Sequence, residues 1–130
     1  MLDMGPRRSK KIVGREKSLH KMKSRVIFVD KKIKKAFEKL KNSTGEKKIL
    51  YRWLNRAFDD LAENATVGIQ IPNRLIPREY KRKYGIDNLW KYNLPNAWRL
   101  IYSIKREEII ILSIILEWFD HKSYERKFGY

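Results

Sequence analysis

The sequence predicts an α+β domain: an N-terminal strand, a helical hairpin, an antiparallel β-sheet and a short C-terminal helix. Two observations support this fold class. Residues 31–63 place apolar side chains at helical spacing on both sides of a four-residue link, whereas residues 88–118 form three strand-like runs separated by turns. Because helices and strands occupy separate stretches of the chain, the order β-α-α-β-β-β-α favours an antiparallel sheet over alternating βαβ units.

The first strand and the first helix follow one another directly. Residues 25–29 are mostly β-branched or aromatic, which is typical of a strand. Asp30 is placed to cap a helix over Lys31–Lys41, whose apolar residues recur at helical spacing and whose other face is lysine.

A second helix and an interrupted segment come next. Ser43 and Glu46 have the spacing of a capping box, and the helix that they would start runs to about Glu63. Its wide apolar stripe predicts that the two helices form a hairpin laid on the sheet. Glycine and proline residues then interrupt regular structure, so we expect a short strand near Ile69–Ile71 and an irregular or helical-turn segment at Pro77–Tyr84.

Three strands and a helix complete the predicted fold. Asn88–Leu94 and Trp98–Ile104 alternate in strand fashion, with a tight connection between them. The run Glu108–Trp118 is apolar on both faces, which predicts the central strand of the sheet. Asp120 is placed to cap the last helix, His121–Phe128.

The charge of the chain indicates a polyanionic partner. Its 130 residues carry a formal net charge of +16, and a folded surface with that excess attracts polyanions, of which nucleic acid is the commonest. An anionic membrane or an acidic protein would also satisfy this charge. The lack of cysteine excludes disulfides, thiolate metal sites and cysteine nucleophiles, and we expect neither a metal nor another cofactor.

Residues 1–24 differ in composition from the predicted domain, 25–130, because they are basic and poor in large apolar groups. They predict an arm that is flexible or ordered by a partner, either a solvated tail or an electrostatic contact with phosphate backbones. The start of the chain lacks an apolar signal region, and the longest apolar run, 109–116, is too short to span a bilayer. The expected location is the cytoplasm.

Two stretches resemble a known family. Residues 89–102 contain an aromatic and basic strand that turns into Trp98-Arg-Leu-Ile-Tyr, and residues 117–130 form an ending rich in histidine and basic residues. Both are similar to the paired strands and the C-terminal ending of the RelE/YoeB/ParE superfamily of type II toxins. The resemblance covers about residues 25–130 and implies a RelE-like fold.

The resemblance also implies a function. RelE and YoeB toxins are mRNA interferases that cut mRNA, usually in the ribosomal decoding site, and arrest growth until an acidic cognate antitoxin wraps over the active face. Cleavage is metal-free: the ribose 2′-OH attacks the adjacent phosphorus and leaves a 2′,3′-cyclic phosphate and a 5′-OH. That reaction needs a base for the 2′-OH, cationic donors for the phosphorane and an acid for the 5′ oxygen.

Five residues are candidates for this chemistry. Arg99 comes first, since its planar fork can hold two phosphate oxygens and strand parity places Lys91 beside it; both may instead be ordinary surface cations. His121 suits proton transfer, or is an exposed residue of the last helix. Tyr124 follows one helical turn later, and it is expected either to stack on a nucleobase or to pack the last helix on the sheet. Glu117 is a base or a salt-bridge partner of Arg99.

Further residues are candidate RNA contacts, because basic side chains interleaved with tyrosines suit a phosphate backbone with some base stacking. The segment 74–84 would equally suit a solvated loop, and Arg126 and Lys127 are more generic phosphate contacts. The candidate RNA contacts are Arg74, Arg78, Lys81, Arg82, Lys83, Asn93, Arg126 and Lys127.

Two other functions remain open. Some family members carry a lysine pair on the strand before the arginine, whereas here Lys91 is followed by Asn93 two residues later, so the identity of the base is open. The first alternative is a non-enzymatic RNA-binding or ribosome-associated protein. The second is a ParE-like gyrase inhibitor, which would lack the catalytic basic and histidine residues.

Overall fold

The computed structural model describes residues 21–129, and it confirms the α+β class predicted from the sequence. None of the helices in this range combines the length and the apolar composition needed to cross a lipid bilayer. The elements in chain order are β1 (Arg25–Phe28), α1 (Lys31–Lys41), α2 (Gly45–Glu63), β2 (Ile69–Ile71), α3 (Arg78–Tyr84), β3 (Leu89–Asn93), β4 (Arg99–Arg106), β5 (Ile111–Phe119) and α4 (His121–Phe128).

The five strands form one sheet in the order β1-β5-β4-β3-β2. β1 pairs with β5 in parallel, and the other three pairings are antiparallel. The prediction that the last strand, β5, is the central one was therefore wrong, since β4 is central. β5 is apolar on both faces because it lies between β1 and β4 with helices on both sides of the sheet. β5 also starts at Ile111 rather than Glu108, because the preceding residues form a turn in which Ile109 is 93% exposed.

Side-chain caps explain where two of the helices begin, α1 and α4. Asp30 Oδ1 accepts from the backbone N–H of Ile33 at 3.0 Å, as predicted for α1. The capping box predicted for α2 was wrong: its N-cap is Thr44, which makes no side-chain capping bond. Ser43 lies one residue too early and donates its hydroxyl to the carbonyl of Leu40, at the end of α1, across 2.5 Å. Asp120 caps α4, again as predicted.

The sheet is covered on both faces. The hairpin face packs against α1 and α2, and its buried sheet residues are Leu100, Tyr102 and Ile115. The opposite α4 face packs against α3 and α4, and its buried sheet residues include Ile101 and Leu116. The predicted short strand and helical turn are both present, as β2 and α3. The element order is therefore β-α-α-β-α-β-β-β-α rather than the predicted β-α-α-β-β-β-α, and the predicted antiparallel sheet contains one parallel pair, β1 with β5.

The ordered domain includes residues that the sequence placed in the basic arm. The backbone N–H of Ser24 donates to the carbonyl of Ala62 at 3.0 Å, and Ser24 Oγ lies 2.8 Å from Ser113 Oγ of β5. The carbonyl of Met22 accepts from the N–H of Ala65 at 2.7 Å. Met22 and Ser24, which the sequence assigned to the arm, are thus hydrogen-bonded to the domain, and the rest of the predicted arm, 1–20, lies outside the described residues.

Candidate functional site

Two of the predicted cations meet over one aromatic ring on the α4 face. Lys91 Nζ lies 5.3 Å from the centroid of the Tyr124 ring, and Arg99 Cζ lies 5.5 Å from the same centroid. Lys91 on β3 is in register with Ile101, and Asn93 with Arg99, so the strand register brings these side chains to one face as the alternation predicted. The ring faces attract both cations through the aromatic quadrupole.

Neither cation is neutralised by a carboxylate. Among residues 21–129, Lys91 and Arg99 form no ion pair with an acidic side chain. Arg99 donates through Nη1 to the carbonyl of Trp98 at 3.2 Å, whereas its buried Nε has no hydrogen-bond partner within the same range, 21–129. Because a buried unpaired N–H is costly, this site is suited to an oxyanion that accepts from the guanidinium.

Tyr124 acts as the platform for these cations. It is only 2% exposed, and its ring stacks on Phe128 with 4.6 Å between centroids and 29° between planes. The packing role predicted for Tyr124 is therefore present, and its burial separates it from a substrate. Asp120 fixes the start of the helix that carries Tyr124, since Asp120 Oδ1 accepts from the backbone N–H of Ser123 at 2.8 Å.

Glu117 lies on the same face but is bonded to a tyrosine. The hydroxyl of Tyr80 donates to Glu117 Oε2 across 2.5 Å, and burial together with this hydrogen bond raises the pKa of Tyr80 well above its ordinary value. The alternative role considered for Glu117, a salt bridge to Arg99, is not present among residues 21–129. A β-bulge places Glu117 here: Glu117 pairs with Ile101 while the next pair skips Leu116, so both residues of the bulge face α4.

His121 is the predicted site residue that is not brought to the cations. Its Nε2 lies 3.2 Å from Glu125 Oε2, one helical turn further along α4, and its side chain is 54% exposed. Within residues 21–129 it makes no hydrogen bond or ion pair with the residues around the Tyr124 ring. It lies one turn before Tyr124 on the same helix, as its spacing predicted.

The predicted RNA contacts other than Asn93, which lies on β3, are on α3, on α4 and in the turn between β2 and α3. Those of the interrupted segment are exposed, with Arg74 in the turn after β2 and the others on α3. Lys127 on α4 pairs with Glu79 on α3, and a hydrogen bond from Lys127 is the main reason that the pKa of Glu79 is lowered. Arg126 donates weakly to Ser123 Oγ at 3.4 Å. The two helices are thereby tied together beside the paired cations.

Tyr80 is the functional residue that sequence reasoning missed. The sequence pattern predicts that the tyrosines of this segment stack on bases, whereas Tyr80 is buried and donates its hydroxyl to Glu117. Lys127 Nζ also lies over the Tyr80 ring, 5.1 Å from its centroid. Both partners lie at least 37 positions away along the chain. The only local signal was that Tyr80 and Tyr84 share one face of α3, where their rings lie 6.2 Å apart.

The arrangement is a cationic, aromatic surface on which the Glu117 carboxylate also lies. A phosphodiester placed between Lys91 and Arg99 would have donors for its non-bridging oxygens and the Glu117 carboxylate on the same sheet face. No protein-family model, curated protein or solved structure matches the chain.

Proposed function

We propose that this protein is a metal-independent endoribonuclease, the ribosome-dependent toxin of a type II toxin–antitoxin system. The observation that carries the proposal is that Lys91 and Arg99 converge on the Tyr124 ring without a carboxylate partner within residues 21–129. The net charge of +16 and the resemblance of residues 89–102 and 117–130 to RelE and YoeB toxins support an RNA substrate.

The proposed reaction is an internal transfer within the RNA strand. The ribose 2′-oxygen forms a bond to phosphorus, the bond from phosphorus to the 5′ oxygen breaks, and the products are a 2′,3′-cyclic phosphate and a 5′-OH. Arg99 and Lys91 stabilise the extra negative charge of the phosphorane, which is greater in the transition state than in the bound substrate. Arg99 contributes two parallel donors, which a lysine cannot provide.

Proton transfer is assigned to the two remaining candidates. Glu117 accepts the proton of the 2′-OH, because its carboxylate is on the face that carries Arg99 and opposes Ile101, two residues along β4. His121 gives a proton to the departing 5′ oxygen, which requires its side chain to leave Glu125 when RNA binds. The exposed basic residues of α3 hold the RNA backbone, and an acidic antitoxin covers the same cationic surface.

Cleavage of a message in a translating extract tests the proposal. Wild-type protein is expected to cut the message and to leave 2′,3′-cyclic phosphate ends, whereas Arg99→Ala is expected to abolish both. Arg52→Ala is the matched control, since Arg52 is an exposed arginine of α2 on the other side of the sheet. The proposal fails if wild-type protein leaves the message intact, or if Arg99→Ala and Arg52→Ala cut equally well.

One observation favours a second function, a non-enzymatic RNA-binding protein. His121 is bonded to Glu125 rather than to the residues around Tyr124, and in this alternative the cations bind RNA without a general acid. This alternative predicts RNA binding that weakens with salt, is unchanged in His121→Ala, and yields no cyclic phosphate. Loss of cleavage in His121→Ala with RNA binding retained would instead support the nuclease.

A further inference from the structure

A second cleft lies at the opposite end of β4 from Arg99. It has a volume of about 470 Å³ and is lined by Trp90, Asp87, Lys105 and Arg106, among others. Arg99 and Arg106 are the first and last residues of β4, which at about 3.3 Å per residue separates them by roughly 20 Å. Trp90 also packs on the hairpin face rather than the α4 face. The cleft is thus distinct from the candidate nuclease site.

Trp90 gives the cleft a fixed aromatic surface. Its ring stacks with that of Tyr102, with 6.2 Å between centroids and 28° between planes. Tyr102 is itself fixed, because its hydroxyl donates to the carbonyl of Ala65 at 2.7 Å and accepts from the N–H of Gly68 at 3.1 Å. An immobilised indole is a stacking surface for a nucleobase.

Two cations lie beside this aromatic surface. Lys105 and Arg106 are exposed, and neither forms an ion pair with an acidic side chain in the described part of the chain. The contact made by Arg106 is a weak one, from Nη2 to the sulfur of Met22 at 3.9 Å. Their charged groups are therefore available to a phosphate.

The cleft also contains a carboxylate with an unused oxygen. Asp87 Oδ1 accepts from Asn88 Nδ2 at 2.9 Å, whereas Oδ2 makes no hydrogen bond within residues 21–129. A carboxylate repels phosphate but accepts hydrogen bonds from neighbouring N–H donors. Guanine presents such donors on its Watson–Crick edge, at N1 and N2, whereas adenine presents an acceptor at N1.

We propose that this cleft binds a guanine nucleotide, with the base stacked on Trp90, its Watson–Crick edge on Asp87 and its phosphate on Lys105 and Arg106. The nucleotide is either free or an unpaired guanosine within RNA, since both offer the same base and phosphate. Both proposals involve a nucleic-acid ligand, but guanine binding in the cleft does not depend on RNA cleavage.

Titration of ¹⁵N-labelled full-length protein with GMP and AMP tests the cleft. The chain has four tryptophans, and the indole N–H signal of Trp90 is identified by its loss in Trp90→Phe. We expect GMP to shift this signal saturably and to bind about tenfold more tightly than AMP, the size expected for a hydrogen bond to a charged group. Asp87→Asn is expected to remove the preference. Equal binding of GMP and AMP, or an unshifted Trp90 signal, overturns the proposal.

Oligonucleotides distinguish the two sources of the ligand. An oligouridylate with one central guanosine is compared with GMP and with the same oligomer lacking guanosine. Tighter binding of the guanosine-containing oligomer than of GMP assigns the cleft to RNA, and the reverse order assigns it to the free nucleotide. If the two oligomers bind alike and GMP does not bind, the guanine assignment is wrong.

A charge-matched pair of variants separates site binding from general attraction. The double variant Lys105→Gln/Arg106→Gln is expected to weaken GMP binding about tenfold. Lys34→Gln/Lys35→Gln removes the same charge from exposed positions of α1 and is expected to leave binding nearly unchanged; equal weakening by both contradicts the proposal. Arg99→Ala is expected to retain GMP binding, so that failure of the nuclease proposal and failure of this one are distinguishable.

Discussion

Tyr80 of α3 donates its hydroxyl to Glu117 of β5 across 2.5 Å, so the Glu117 carboxylate on the α4 face is bonded to a neutral donor. Within residues 21–129 this carboxylate forms no ion pair with Arg99. Burial raises the pKa of Tyr80, as does the hydrogen bond to Glu117, so the tyrosine remains a donor at neutral pH. Lys91 and Arg99 consequently keep their charge available for a phosphate.

Tyr80→Phe is expected to destabilise the fold and to weaken the site. Removing the hydroxyl leaves a partly buried carboxylate without its donor, at a cost of about 1–2 kcal/mol in the free energy of unfolding. The freed Glu117 is then able to pair with Arg99, so RNA cleavage should also fall. Urea denaturation followed by circular dichroism measures the first effect. Tyr51→Phe is the control, since that ring packs on Phe37; an equal loss in both variants would contradict the assigned bond.

Alkaline pH is expected to destabilise the protein through two tyrosines, Tyr92 and Tyr102, whose pKa is raised in the folded state. Burial raises the pKa of both Tyr92 and Tyr102 to about 12 from an ordinary value of 10.0, and a hydrogen bond to Asp60 adds to the effect at Tyr92. Because the folded state holds these protons more tightly, the stability they contribute is full below pH 10 and is lost as pH rises toward 12.

Urea midpoints measured below pH 10 and between pH 10 and 12 check this dependence. Tyr92→Phe should make the decline shallower, since it removes one of the titrating groups. A midpoint that stays constant across the interval would show that the tyrosines titrate alike in the folded and unfolded states.

Gly68→Ala is expected to disturb the strand that carries Lys91. A Cβ at this position would lie 2.5 Å from the carbonyl oxygen of Lys91 and 2.6 Å from the hydroxyl of Tyr102, which predicts a loss of about 1–3 kcal/mol in stability. Tyr102→Phe removes one of the two clashing atoms. The summed losses of stability of the two single variants should therefore exceed the loss of the double variant. Additive losses, measured by urea denaturation, would argue against the clash.

Asp120 is expected to support the site by fixing α4. Asp120→Ala removes the acceptor for the backbone N–H of Ser123 and should lower both the thermal midpoint and RNA cleavage, because Tyr124 lies on this helix. Asp120→Asn keeps an oxygen acceptor and should preserve both. The backbone hydrogen bond from Ser123 lowers the pKa of Asp120 below 3.8, so its contribution is present above that pH and is lost on further acidification. Equal thermal midpoints and cleavage rates of the alanine and asparagine variants would show that the Asp120 cap does not support the site.

Local sequence signals predicted much of the fold and part of the site. The bounds of α1 and α4 follow from aspartate caps next to periodic apolar residues, and strand alternation placed Lys91 and Arg99 on one face. The parallel pairing of β1 with β5, by contrast, joins strands more than eighty residues apart and leaves no local pattern.

The features of the site that the sequence did not predict likewise leave no decisive local pattern. The bulge at Leu116 changes which residues of β5 face α4, and the alternating pattern of an apolar strand does not reveal an extra residue. The contact of Tyr80 with Glu117 links positions 37 residues apart. The interaction of His121 with Glu125 is local, but its spacing alone could not exclude the alternative in which His121 faces the cations.

A double-variant cycle on RNA cleavage tests the convergence of Lys91 and Arg99 most directly. The single-turnover rate of cyclic phosphate release is measured for wild type, Lys91→Ala, Arg99→Ala and the double variant. Each single substitution should lower the rate about 100-fold, the usual effect of losing one transition-state donor. The double variant should lose less than the product of the two factors, because both cations hold one phosphate. Wild-type protein that releases no cyclic phosphate, or single variants that cleave at the wild-type rate, would contradict the account.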